Sequence, residues 1–140
     1  MHCVTNIRED LYWLGASDRR LAKFENVFPI PRGVSYNAYL LLDEKTVLLD
    51  TVDKAVGERF FENLEFALAG RPLDYVVVNH MEPDHCATLG ELLRRWPGAQ
   101  VVAHAQTVPM VSPFFERDIS TRAVVVKEGG TPCPARPPLP

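Results

Sequence analysis

Tyr75-Val76-Val77-Val78-Asn79-His80-Met81-Glu82-Pro83-Asp84-His85 sets two histidines and two carboxylates directly behind a β-branched apolar run. The run from Tyr75 to Val78 has the pattern of a central strand buried on both faces of a sheet. The polar cluster therefore begins where that strand ends. Pro83 has no backbone N–H and biases Glu82 away from helical angles, so His80 to Asp84 is expected to be a loop, with the next helix starting near His85 or Cys86. Four potential ligands within six residues of a turning loop can point inward at one small volume. Imidazole nitrogen with carboxylate oxygen suits iron, zinc or manganese, whereas calcium and magnesium favour oxygen alone. The competing reading makes Glu82, Asp84 and His85 ordinary loop polars, with Asp84 capping the helix. The local density of ligand types argues against it. Cys86 reads as a small buried residue at a helix start rather than a fifth ligand.

The 140 residues suffice for one domain with a core and fall short of two of ordinary size. A composition of 46% hydrophobic and 24% charged residues is that of a soluble globular protein. The net charge of −3 leaves no basic footprint for nucleic acid, and no Lys/Arg run suggests a membrane surface. Arg8, Glu9 and Asp10 interrupt what would be the apolar core of a signal peptide, and no apolar stretch approaches the ~20 residues of a membrane span. A cytoplasmic location is expected. Cys3, Cys86 and Cys133 are odd in number and scattered, which fits reduced thiols better than a disulfide framework.

Outward from the central stretch, Leu11 to Gly15 reads as an early strand, and Pro29, Pro31 and Gly33 make the segment 24–33 a loop. Tyr36 to Leu42 and Thr46 to Leu49 flank Asp43-Glu44-Lys45 as a hairpin. Asp53 is placed to cap the helix that follows, near Lys54 to Ala69, in which Val56, Phe60, Leu64 and Leu68 form one stripe ending at Gly70. Phe61 lies off that stripe, and the sequence leaves its burial open. Asp50 is read equally well as a carboxylate supporting the metal loop or as a turn former at a strand end. Leu89, Leu92, Leu93 and Trp96 give a second helix, Thr88 to Trp96, stopped by Pro97-Gly98. Gln100 to Ala103 is a further strand, so the ligands lie at the carboxyl end of the first strand of a βαβ-like unit. His104 reads as a surface or capping residue, because no acidic residue or second His accompanies it. Thr107 to Phe115, broken by Pro109 and Pro113, is at best an irregular helix. Ala123 to Val126 is a last strand candidate, with Lys127 to Gly130 as a turn. Residues 131–140, with Pro132, Pro134, Pro137, Pro138 and Pro140, are expected to be a disordered, proline-rich tail.

The ligand segment resembles the H-x-E-x-D-H motif of flavodiiron proteins, the A-type flavoproteins, whose catalytic domain has a metallo-β-lactamase fold. Hydrolases of that fold carry H-x-H-x-D-H, so Glu82 in place of the second His separates a diiron oxidoreductase from a dizinc hydrolase. The likeness runs from about Ile7 to Gly130, through Asp10 to Gly15 with Asp18, Pro31 to Leu40, Leu48 to Val52 and Val126 to Gly130. It implies an α/β fold over residues 1–130, the first half of a metallo-β-lactamase-like αββα sandwich with helices packed on a mixed sheet. It also implies that His80 and Glu82 bind one iron while Asp84 and His85 lie at the other. The family's chemistry would be reduction of dioxygen to water or of nitric oxide to nitrous oxide. Its electrons arrive through flavin mononucleotide on a flavodoxin-like domain, from a donor such as rubredoxin or a flavin reductase, and the family forms homodimers.

The family also needs a further His, a bridging Asp and a last His downstream, and His2, His80, His85 and His104 are the only histidines here. The sequence is therefore expected to be the N-terminal part of such an oxidoreductase, truncated after about Gly130 and inactive alone. The abrupt change there is what a frameshift or gene-end artefact would give, or a natural truncated relative. The alternatives are a non-catalytic metal-binding fragment and, disfavoured by Glu82, a hydrolase of the same fold. With half of the sandwich missing, the sheet face away from the helices is expected to be apolar and uncovered.

Overall fold

The run Tyr75–Val78 is a strand with a parallel neighbour on each side, as its unbroken β-branched composition requires. The computed structural model describes residues 2–24, 26–111 and 119–127. In chain order the strands are β1 (Thr5–Arg8), β2 (Leu11–Trp13), β3 (Ala16–Asp18), β4 (Lys23–Phe24), β5 (Phe28–Pro29), β6 (Val34–Tyr36), β7 (Tyr39–Leu42), β8 (Thr46–Leu49), β9 (Tyr75–Val78), β10 (Gln100–His104) and β11 (Ala123–Val126). The α-helices are α1 (Gly57–Leu68), α2 (Pro83–Cys86), α3 (Leu89–Arg95) and α4 (Thr107–Val111).

Seven strands make one mixed sheet in the order β1-β2-β7-β8-β9-β10-β11. Pairing is antiparallel from β1 to β8 and parallel from β8 to β11. Parallel neighbours need a crossover, and α1 and α3 are the helices that the two β9 junctions use. Two small antiparallel pairs, β3 with β6 and β4 with β5, lie outside this sheet. The segment expected to be a loop thus contains the two-residue strands β4 and β5. The expected strand from Tyr36 breaks in two, with Tyr36 ending β6 and the hairpin proper starting at Tyr39.

Register explains which residues are buried. Leu40, Leu48, Val76 and Val101 stand opposite one another on neighbouring strands and are all fully buried. They form one core with Phe60, Leu64 and Leu68 of α1 and Leu89, Leu92 and Leu93 of α3, so both helix stripes cover the same sheet face. The alternate rows, Trp13, Tyr39, Leu49, Val77, Val102 and Val124 in one and Leu11, Leu41, Val47 and Tyr75 in the next, lie outside that core and are half-buried except for Val102, which is 1% exposed. The face away from the helices is therefore apolar and only partly covered among the described residues.

Local chemistry sets the helix ends. Asp53 Oδ1 accepts from the Ala55 amide at 2.7 Å, capping a 3-10 turn, Lys54–Val56, that leads into α1. Ala69, at φ 48°, turns the chain out of the helix and Gly70 follows at φ 86°. Phe61 is 1% exposed, with the Arg95 guanidinium 4.3 Å above its ring and Trp96 stacked at 6.3 Å. Arg122 donates to the carbonyls of Leu93, Trp96 and Ala99 at 3.2, 3.2 and 2.9 Å, and to that of Pro97. One guanidinium thereby ties the entry to β11 onto the carboxyl end of α3. Thr107–Val111 is helical as far as it is described; residues 112–118, the Lys127 to Gly130 turn beyond Lys127 and the proline-rich segment lie outside the described residues.

Candidate metal centre

The ligand segment leaves β9 at Val78 and enters α2 at Pro83, two residues earlier than the sequence suggested. Proline at the first helical position loses nothing, because that amide has no partner in a helix anyway, and Glu82 before it is extended at φ −69° and ψ 159°. Asp84 and His85 consequently sit at consecutive positions of a helical turn.

His80, Glu82 and Asp84 bring one ligand atom each within 4.8 Å of one another. His80 Nε2 lies 3.4 Å from Glu82 Oε2 and 3.7 Å from Asp84 Oδ1. Donors held at about 2.1 Å by a common ion stand roughly 3.0 to 3.4 Å apart, so a small inward movement of the exposed His80 and Glu82 toward the half-buried Asp84 would close the shell. His85 stands beside this trio. Its Nε2 is 3.7 Å from Asp84 Oδ2, so each oxygen of Asp84 faces a different imidazole. The two rings are 5.3 Å apart and nearly perpendicular. The donor set, two imidazoles and two carboxylates, fits a transition-metal ion such as iron or zinc.

His85 Nδ1 supports the same fit. Among the described residues it is the one buried side-chain polar atom without a hydrogen bond, and it faces Asp50 Oδ2 at 3.7 Å. An imidazole turned with one nitrogen toward a carboxylate presents the other to a metal. Asp50 is thus more than a turn former. Its Oδ1 accepts from the amides of Asn79 at 2.7 Å and His80 at 3.3 Å, pinning the start of the ligand loop, and its own amide donates to Val77 O at 2.9 Å. It does this from a left-handed backbone, φ 58°, which aspartate tolerates better than most residues. Thr51 continues the seam, its amide and hydroxyl both donating to His85 O at 2.8 and 2.9 Å. Val52 then exchanges bonds with the Thr88 hydroxyl.

Next to the trio opens a cleft of about 360 Å³, lined by Leu21, Lys23, Phe24, Asn26, Tyr36 and Asp53 together with Glu82, Pro83 and Asp84. Burial, and then the carboxylates of Asp53, Asp18 and Asp84, push the Tyr36 hydroxyl above the ordinary phenol range. Sequence reading gave no part to Tyr36, Lys23 or Thr51 in the site. Only Thr51, adjacent to Asp50, carried a signal. Cys86 is buried against the site, and burial with the Asp50 charge moves its thiol up to about 12, so it does not behave as a ready thiolate ligand. His104 stands apart, exposed at the end of β10, its Nδ1 accepting from the Gln106 amide at 3.3 Å. No helix among the described residues is long and apolar enough to cross a membrane.

Known proteins place this arrangement. The sequence profile of the Metallo-beta-lactamase superfamily matches residues 31–138. An anaerobic nitric oxide reductase flavorubredoxin of Aliivibrio fischeri is 38% identical over 97 residues, covering 69% of this chain and 20% of the relative. A mutant flavo di-iron protein of Thermotoga maritima superposes with a TM-score of 0.80 at 28% identity, over 89% of this chain and 31% of that one. The rubredoxin oxygen:oxidoreductase of Desulfovibrio gigas gives 0.79 at 29% identity, over 88% and 30%. This chain spans about a fifth of the flavorubredoxin it matches. It belongs to the metallo-beta-lactamase superfamily, and within it to the flavodiiron proteins, of which it matches a part.

Proposed function

We propose that this chain carries the first ligands of a non-haem diiron centre of the kind that reduces dioxygen or nitric oxide. The observation that supports this reading best is the convergence of His80, Glu82 and Asp84 on one small volume, with a carboxylate where a hydrolase of this fold would have imidazole. In this reading His80 and Glu82 hold one iron, and Asp84 with His85 stands at the other. Asp84 turns one oxygen to each imidazole and so stands between His80 and His85. Bound iron would provide the electrons that the substrate takes up. The chain's own residues set where the ions sit: Asp50 fixes the loop backbone through two amides, and Thr51 fixes the His85 carbonyl.

The four side chains of this loop are too few donors for two ions of mixed nitrogen and oxygen coordination. Nearby like charges also repel unless a bridging carboxylate offsets them. The 140-residue chain alone is therefore assigned no turnover, and the reductase activity belongs to an assembly that adds ligands and flavin mononucleotide. The names of the relatives support nitric oxide and dioxygen as the two substrates and rubredoxin as an electron donor; a flavin reductase is the other donor in this reading. A homodimeric assembly and a cytoplasmic location complete the proposal.

Glu82→His is the test. It recreates the hydrolase ligand set and exchanges a hard oxygen for nitrogen, so selectivity is expected to move from iron toward zinc by about tenfold or more. Anaerobic titration with metal analysis reads this directly, with oxygen consumption in the presence of a flavin reductase alongside. Identical metal content and affinity in both forms would show that Glu82 is no ligand. Two tightly held irons with turnover would refute the incompleteness of the site, and one ion without turnover is the expected result.

A further inference from the structure

The cleft beside the ligand trio is large for a diatomic molecule, about 360 Å³ against the ~30 Å³ that one water occupies in the liquid. Its walls are apolar at Leu21, Phe24 and Pro83, and Tyr36 is the buried polar residue that opens into it, 3% exposed. Lys23 and Asn26 also reach the cleft, but both are exposed side chains at its mouth.

Tyr36 is held firmly. It ends β6 opposite Ala16 of β3, and its carbonyl lies where a Cβ on Gly15 would come within 2.0 Å, so a glycine at position 15 is what lets the two strands meet. Among the described residues no hydrogen bond reaches its hydroxyl, and that hydroxyl is not a buried orphan, since His85 Nδ1 alone holds that position. The exposed remainder of this residue therefore includes its hydroxyl, and the residue lines the cleft together with Glu82 and Asp84. A phenol at the cleft, with no hydrogen-bond partner among the described residues, is a donor available to whatever occupies it.

We propose that the Tyr36 hydroxyl donates a hydrogen bond to the exchangeable ligand of the metal centre, a small anion or diatomic molecule whose outer atom carries a lone pair. This rests on the metal reading above and adds to it a positioning residue from outside the ligand loop. The phenol orients the ligand's outer atom while the metal holds the inner one.

The experiment uses the full 140-residue chain loaded with Co²⁺, with azide as the probe. Tyr36→Phe keeps the ring and removes only the donor. Azide affinity, read from the cobalt d–d bands, is expected to fall about three- to tenfold. The asymmetric stretch of bound azide should shift in the infrared, while Co²⁺ affinity stays unchanged. Lys23→Met serves as the comparison and should leave the stretch where it is. Equal azide affinity and an unmoved stretch in Tyr36→Phe overturn the proposal, as does a shift seen with Lys23→Met instead. Failure of the unsubstituted chain to take up Co²⁺ would overturn the metal centre and this inference together, a result distinct from cobalt uptake with indifferent azide binding.

Discussion

Asp50→Ala is expected to weaken metal binding by about 10- to 100-fold, the usual cost of removing a group that holds ligands in place. Alanine leaves the Asn79 and His80 amides without the oxygen that fixes them, and leaves His85 Nδ1 facing nothing. It also puts an ordinary residue at φ 58°, where the left-handed backbone costs roughly 1–2 kcal/mol. Asp50→Asn separates these effects. Asparagine tolerates the same backbone and keeps a carbonyl oxygen for the two amides, so it should retain the loop's shape and lose only the charge opposite His85. Competition against a chelator measures both variants. Matching affinities in Asp50→Ala and the unsubstituted chain would mean that the loop shapes itself.

The second large effect is on stability. Phe60→Ala should lower the unfolding free energy by about 3–5 kcal/mol, because Phe60 is fully buried between α1 and the sheet and its loss leaves a cavity. Against the ~5–15 kcal/mol that holds a typical domain together, this would leave a substantial unfolded fraction. Phe66, on the same helix, is the control. It is 57% exposed and stacks on His2, so Phe66→Ala should change stability by no more than about 0.5 kcal/mol. Urea midpoints compare the two, and equal shifts would contradict the assigned helix face.

Much of the fold was legible because it rests on period. Val56, Phe60, Leu64 and Leu68 recur at helical spacing, and Tyr75 to Val78 is too apolar for any place but a sheet centre. Phe61 was not legible, since the groups that cover it, Arg95 and Trp96, come from a helix more than thirty positions later. The start of α2 was misplaced because a proline that blocks a helix interior is harmless at its first position. In the site, residue types and spacing singled out His80, Glu82 and Asp84, which the fold brings together. Asp50 was visible only as one of two readings, because whether a carboxylate turns toward a loop depends on the parallel pairing of β8 with β9. Tyr36 gave no signal at all. Its place in the cleft is set by a separate two-stranded ladder and by the space that Gly15 leaves.

Arg122 makes the two ends of the large sheet unequal in how they open. At one edge β1 is exposed along its whole length and, among the described strands, pairs only with β2. At the other, releasing β11 means breaking the guanidinium's bonds to carbonyls of α3 and of the turn after it, so the edge strand and the end of that helix open as one unit. Amide hydrogen exchange should therefore show β11 and the last turn of α3 protected to a similar degree, with β1 exchanging well ahead of both. Arg122→Met should uncouple them, leaving α3 protected while β11 drops to the level of β1.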